Sequence, residues 1–353
     1  MSRSSDGPSR IPFVSLAVIA LVVAGGAAAF AYTAGWLSPQ RLTPTKLVAA
    51  LAPPGGPALG HRRNHAKGIC FTGEFQSNGN GASLSPAQVF TPGTWPVLGR
   101  FNLATSSPDA ADATVRVRGM GLQIATPNGE VWRSAMIDAP VFAVSTPEAF
   151  FDLHQSAAKG PDAMKAFIGR HPEFTTFAGW AGTAPWTSSY AEDAFNGLHA
   201  FLFTDKAGTS RAVRWSLRPA ATPVPITPGE LAKRGPNQLE QEIASRVAGA
   251  PQRWAMVLTV AEPGDNTADP SKAWPSGRRT VEAGTLVVKK VEAEADGPCR
   301  DINFDPTILP RGVGVSDDPF PAARASAYAR SYDLRTSEAK DYPRTAAPGS
   351  ARP

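Results

Sequence analysis

The stretch ATVRVRGMGLQIATPNGEVWRSAMI, from Ala113 to Ile137, decides how the chain is read. From Ala113 to Thr126 long side chains alternate with short ones, which is the period-two pattern of a β-strand. Pro127-Asn128-Gly129 follows, and Asn-Gly suits a type I′ hairpin turn. Glu130 to Ile137 then reads as the return strand. Outward from this hairpin, Val97 to Thr105 reads as a preceding strand. Leu198 to Thr204 and Ser210 to Leu217 form a second hairpin across Asp205-Lys206-Ala207-Gly208. Trp254 to Ala261 and Thr285 to Val291 bring the strands to at least six. Antiparallel connections dominate, which points to an antiparallel sheet or barrel and away from βαβ units. Helices interrupt this pattern. Pro147 to Ala158 follows Thr146, a good N-cap, with proline at the first helical position. Pro161 to Gly169 reads as a second helix, and Pro228 to Val247 as a pair broken at Gly235-Pro236. The expected fold class is α+β, an antiparallel sheet or barrel with peripheral helices.

The chain has 353 residues, 42% hydrophobic and 18% charged, enough to bury a core and to exclude full disorder. Its 32 glycines and 34 prolines are many for a globular chain but follow no period, which excludes collagen. The net charge of +5 is not gathered into basic runs, so no nucleic-acid partner is expected. Two cysteines, Cys70 and Cys299, make neither a zinc site nor a disulfide framework.

Near the N-terminus, IPFVSLAVIALVVAGGAAAFAYTAGW (Ile11 to Trp36) carries no charge. A membrane-spanning helix needs about 20 such residues, whereas the apolar part of a signal peptide needs only about 7–15. The length favours an uncleaved anchor, and Ala29-Phe30-Ala31 keeps a cleaved signal open as the alternative. Arg3 and Arg10 against Asp6 place residues 1–10 in the cytoplasm and the rest on the far side of the membrane. An oxidising compartment permits a Cys70–Cys299 disulfide; two free buried cysteines are the equal alternative. Residues 37–60 read as a linker holding one short helix around Pro44 to Leu51, residues 61–336 as the functional domain, and 337–353 as a disordered tail.

Most signatures of catalysis are absent: there is no G-x-x-x-x-G-K-[ST], G-x-G-x-x-G, H-E-x-x-H or G-x-S-x-G. The histidines (His61, His65, His154, His171, His199) form no metal-binding pair at helical spacing. Three segments carry more. The first is Arg62-Arg63-Asn64-His65-Ala66-Lys67-Gly68, followed by Phe71 and Phe75. The second runs from Thr114 through Arg116 and Arg118 to Asp138-Ala139-Pro140-Val141-Phe142. The third is Phe304-Asp305-Pro306 to Leu309-Pro310, continuing to Arg324-Ala325-Ser326-Ala327-Tyr328. In this order they resemble the haem catalase family. Arg62 and His65 match its distal motif Arg-x-x-His-Ala-x-Gly, and Arg324 and Tyr328 its proximal motif Arg-x-x-x-Tyr. The chain is much shorter than an ordinary catalase and is similar to the reduced branch of catalase-related peroxidases.

The resemblance implies an α+β fold with an antiparallel β-barrel of the haem catalase type, haem b as cofactor and Tyr328 as the iron ligand. A phenolate oxygen is a hard anionic ligand for ferric iron, and Arg324, one helical turn away, can donate to it without losing its charge. It implies His65 as the distal acid and base, taking a proton from the peroxide and returning it to the leaving oxygen. Arg62, Arg100 and Arg118 are the expected partners of the two haem propionates, since buried carboxylates need cations. His199 and Asp318 are expected in a chain Asp318–His199–Arg324 behind the phenolate. Phe142 and Phe150 are expected on the haem face. The family has a distal asparagine where this chain has Asp138. A carboxylate only accepts hydrogen bonds unless protonated, and it would raise the pKa of His65. That weakens the expectation of peroxide dismutation and leaves peroxidase turnover.

The expected activity is therefore reduction of hydrogen peroxide or organic hydroperoxides through a ferryl intermediate, with a small-molecule electron donor. The expected setting is a membrane-anchored domain outside the cytoplasm, with a homodimer as a possible assembly. The alternatives are a fatty-acid hydroperoxide isomerase or lyase on the same barrel, a non-catalytic haem or lipid carrier, and a metal-free scaffold domain.

Overall fold

The computed structural model describes residues 13–36, 38 and 41–345. It divides into two units that part between Thr43 and Pro44. The first holds α1 (Phe13–Thr33), whose described residues are all unburied within the chain. It is 21 residues long and holds an 18-residue window of mean hydropathy 2.4, long and apolar enough to cross a membrane. Residues 1–12 and 346–353, with the expected cytoplasmic N-terminus and the end of the expected tail, lie outside the described residues.

The second unit is built on a barrel. Eight strands run in sequence order: β1 (Gly68–Ser77), β2 (Gly93–Leu103), β3 (Arg118–Ala125), β4 (Val131–Ile137), β5 (Phe195–Thr204), β6 (Ser210–Pro219), β7 (Gln252–Val260) and β8 (Thr280–Ala293). Each pairs antiparallel with the next, and β8 pairs with β1, so the sheet closes. A short β9 (Val313–Val315) adds to β5. Closure removes the exposed edges that an open sheet would carry. Period-two alternation sends one face of every strand inward. Phe71, Phe75, Phe101, Phe195, Leu217, Trp254 and Leu286 meet there as one apolar core.

Helices cover the barrel. They are α2 (Pro44–Ala50), α3 (Pro147–Lys159), α4 (Pro161–Arg170), α5 (Phe174–Thr183), α6 (Pro228–Lys233), α7 (Gln238–Gly249) and α8 (Phe320–Ser337). The Thr146 hydroxyl caps α3 by accepting from the Ala149 amide at 3.1 Å. The α6/α7 break falls at Gly235-Pro236, as the sequence suggests. Helix α2 buries Leu47 and Val48 and packs on α3 and α8.

Four readings change. The turn after β3 is not type I′: Asn128 has no positive φ, because Pro127 fixes a negative φ at the first turn position. Thr126 O accepts from Gly129 N, and Gly129 takes the left-handed conformation (φ 86), a three-residue loop with a bulge. Strand β1 and helix α5 escape the sequence reading altogether. In β1 Ile69, Cys70 and Phe71 are buried in succession, and Gly73 breaks the pattern at a bulge. The stretch from Ser337 to Thr345, read as disordered, is placed: Glu338 pairs with Arg63, and Tyr342 stacks on His61 at 3.9 Å. Finally, Cys70 and Cys299 are joined by a disulfide, which settles the alternative left open.

Candidate active site

A cavity of about 330 Å³ lies against strands β2 to β5 and helices α2, α3 and α8. Its wall carries five arginines (Arg62, Arg63, Arg100, Arg324, Arg335) and no carboxylate. His65 and Tyr328 both line it, as do Phe142, Phe150 and His199.

His65 sits on the loop that leads into β1. Its φ of 56 makes it the one described non-glycine residue in the left-handed region, a strained conformation for this residue type. The backbone carbonyls of His65 and Ala66 accept from Arg100 at 2.8 and 3.1 Å. Nδ1 of the ring lies 2.6 Å from Asn102 Oδ1. Asn102 Nδ2 is turned to Arg100 O at 3.4 Å, so Oδ1 accepts and Nδ1 carries the proton. The lone pair is thereby left on Nε2. Burial pushes the imidazole pKa down to about 4, helped by Arg100, Arg324 and Arg62 against the opposing pull of Asn102. Two glycines make room for this arrangement. A Cβ on Gly119 would stand 2.4 Å from Asn102 Oδ1, and one on Gly68 would stand 2.6 Å from Arg100 Cζ.

The opposite wall is α8. Arg324 Nη2 donates to the Tyr328 hydroxyl at 2.8 Å and to Ala135 O at 3.0 Å, the first contact following from one helical turn of separation. His199 Nδ1 meets Asp318 Oδ2 at 2.8 Å, both buried. No hydrogen bond joins His199 to Arg324, so the expected three-membered chain is present only in its Asp318–His199 link. Phe142 packs on Phe150, His199 and Phe320.

Two expected site residues are elsewhere. Arg118 pairs in register with Leu103, a core residue, so it shares the inward face of the barrel. There its guanidinium pairs with Asp193 at 3.0 Å and bonds Thr187. On β3 the residues opposite Asn102 and Arg100 are Gly119 and Gly121, and Gly121 lines the cavity. Asp138 does not line the cavity. Its carboxylate takes Arg116 Nη1 at 2.9 Å and the Arg118 amide at 3.0 Å. Burial and the nearby Asp193 raise its pKa. The side chain bonded to His65 is Asn102, and the imidazole pKa is lowered, not raised.

Two residues were missed. Asn102 comes to His65 through the sheet, with no motif to announce it. Arg335 reaches the cavity from α8 and donates to Arg300 O and Ile302 O. Positions 324, 328, 331 and 335 form one helical stripe, and that spacing could have revealed it.

The donor set suits a metalloporphyrin. A phenol and a base share the cavity, and guanidinium groups in its wall, Arg324 and Arg335 among them without an acidic partner, suit carboxylates. No cluster of His, Cys, Asp or Glu able to hold a bare metal ion occurs among the described residues. These features define an oxidoreductase of the haem-barrel class. Comparison with known proteins agrees. The profile of the catalase family matches residues 34–342. A catalase-related peroxidase of Synechococcus elongatus is 33% identical over 331 residues, covering 92% of this chain and 96% of that protein. One of Mycolicibacterium paratuberculosis is 31% identical over 301 residues, covering 84% and 95%. Among solved structures, a bacterial catalase superposes with a TM-score of 0.69 at 22% identity, over 82% of this chain and 60% of that one. A fungal catalase gives 0.70 at 18% identity, over 78% and 59%. These structures establish the fold. The chain belongs to the catalase family, with the relatives of matching length being peroxidases, and the family brings haem as its cofactor.

Proposed function

We propose that this chain is a haem b peroxidase in which Tyr328 ligates the iron and His65 moves the proton. The observation that carries the reading is the shared cavity: His65 and Tyr328 line it together, and its wall holds five arginines and no acid. Haem, when bound, supplies the redox chemistry that cleaves the peroxide bond and draws electrons from a donor. The protein does the rest. Arg324 donates to the phenol oxygen and orients it. Arg62, Arg100 and Arg335, which line the cavity, would hold the propionates, with Arg335 taking the place first given to Arg118. Phe142 and Phe150 wall the site with apolar surface. His65, neutral and with Nε2 free, accepts the first proton of the peroxide and delivers it to the departing oxygen, which leaves as water or an alcohol.

The substrates are hydrogen peroxide or organic hydroperoxides, and a small organic reductant completes the cycle. Helix α1 holds the domain at a membrane, on the side opposite the cytoplasm. The test is peroxide-dependent oxidation of a phenolic donor by haem-loaded protein. The wild type turns over, and His65→Ala loses about 10²–10⁴-fold with its haem content kept. Equal turnover by His65→Ala would overturn the reading.

A further inference from the structure

Behind the cavity arginines lies a buried carboxylate that no step above uses. Glu294 follows the last residue of β8, is 7% exposed, and does not line the cavity. Both of its oxygens are taken by one guanidinium: Arg100 Nε donates to Oε1 at 2.8 Å and Nη2 to Oε2 at 2.6 Å. Oε1 also accepts from Arg62 Nη1. The far side of the same Arg100 fork donates to the carbonyls of His65 and Ala66. Four of the five Arg100 N–H groups are thus spent, two on Glu294 and two on the backbone of the loop.

We propose that Glu294 is a positioning residue for His65: it clamps Arg100, and Arg100 holds the loop backbone at residues 65 and 66, where His65 is left-handed. The inference rests on the reading of His65 as the proton carrier. Three physical facts support it. A bidentate carboxylate–guanidinium pair fixes orientation as well as distance. A non-glycine residue at φ 56 persists only where its surroundings over-determine it. Arg62 and Arg100 are buried cations side by side, and Glu294 is the acid that bonds both. Burial would raise its carboxyl, but Arg100 and Arg62 more than offset this and hold it below the ordinary glutamate range. Gly68 keeps the space under the loop open, since a Cβ there would meet Arg100 Cζ at 2.6 Å.

Glu294→Gln keeps the shape and removes the charge. In the haem-free chain, the Ala66 amide, which donates to Thr105 O at 2.8 Å, should lose at least tenfold in hydrogen-exchange protection. Amides of β7 and of α8 around Ala327 should keep theirs. In the haem-loaded chain, kcat should fall at least tenfold with KM nearly unchanged. Placed on His65→Ala, the same substitution should add no further loss. Should Glu294→Gln fail to fold, Arg100→Lys, which keeps the charge but lacks the fork, should give the same local loss of protection. Unchanged protection at Ala66, an equal loss across the barrel, or an undiminished effect of Glu294→Gln on His65→Ala would overturn the proposal. If His65→Ala alone spares peroxide turnover, the peroxidase reading falls, and exchange at Ala66 still decides whether Glu294 positions the loop.

Discussion

An imidazole held at a pKa of about 4 is a base across the whole neutral range. Below that value its lone pair is filled and proton abstraction stops. The rate constant for reaction with peroxide should therefore be flat from about pH 5 to 8 and fall as the pH drops toward 4, read by stopped-flow absorption on haem-loaded protein. A titration centred near 6.5 would show that His65 is not desolvated in this way. Asn102 fixes which ring nitrogen carries the proton, so Asn102→Ala should slow the same reaction about 10–100-fold while leaving haem bound. His65, Arg62, Arg324 and Tyr328 were legible because each belongs to a short local spacing. Arg118 and Asp138 were misplaced for one reason. Period two tells which residues share a face of a strand but not which face meets the core, and Leu103 opposite Arg118 supplies that answer only in three dimensions.

The hairpins and capped helices were readable from turn residues and N-caps, whereas β1 was not. It buries Ile69, Cys70 and Phe71 in a row and carries Gly73 where the sheet bulges, and both features erase the alternation that marks a half-exposed strand. That glycine has a steric cause: a Cβ would stand 2.0 Å from Val287 O on the neighbouring strand. Gly73→Ala should thus part β1 from β8 and destabilise the barrel by about 1–3 kcal/mol, measured by denaturant unfolding. The Cys70–Cys299 bridge spans 229 residues of chain and ties β1 to the segment whose carbonyls hold Arg62 and Arg335. Replacing both cysteines by serine should cost about 2–5 kcal/mol in the same unfolding assay. A double variant as stable as the wild type would mean that the barrel alone fixes that segment.

Two units share one chain. Helix α1 buries none of its apolar surface within the chain, while the barrel unit keeps its own core and closes its own sheet. Protein starting at residue 42 should remain soluble and bind haem, whereas the full chain should stay with membranes after an alkaline wash. Recovery of the full chain in the soluble fraction would remove the anchor. The antiparallel strands could be anticipated from the hairpins, but the barrel only from the family resemblance, because the β8–β1 pairing that closes it joins strands about 200 residues apart. Function hangs on what that closed wall presents to α8. The absorption spectrum of haem-loaded wild type beside Tyr328→Phe reads this contact. The wild type should show a high-spin ferric spectrum with tyrosinate character, and Tyr328→Phe should lose it while circular dichroism stays unchanged. Identical Soret and visible bands in the two proteins would mean that Tyr328 does not hold the iron.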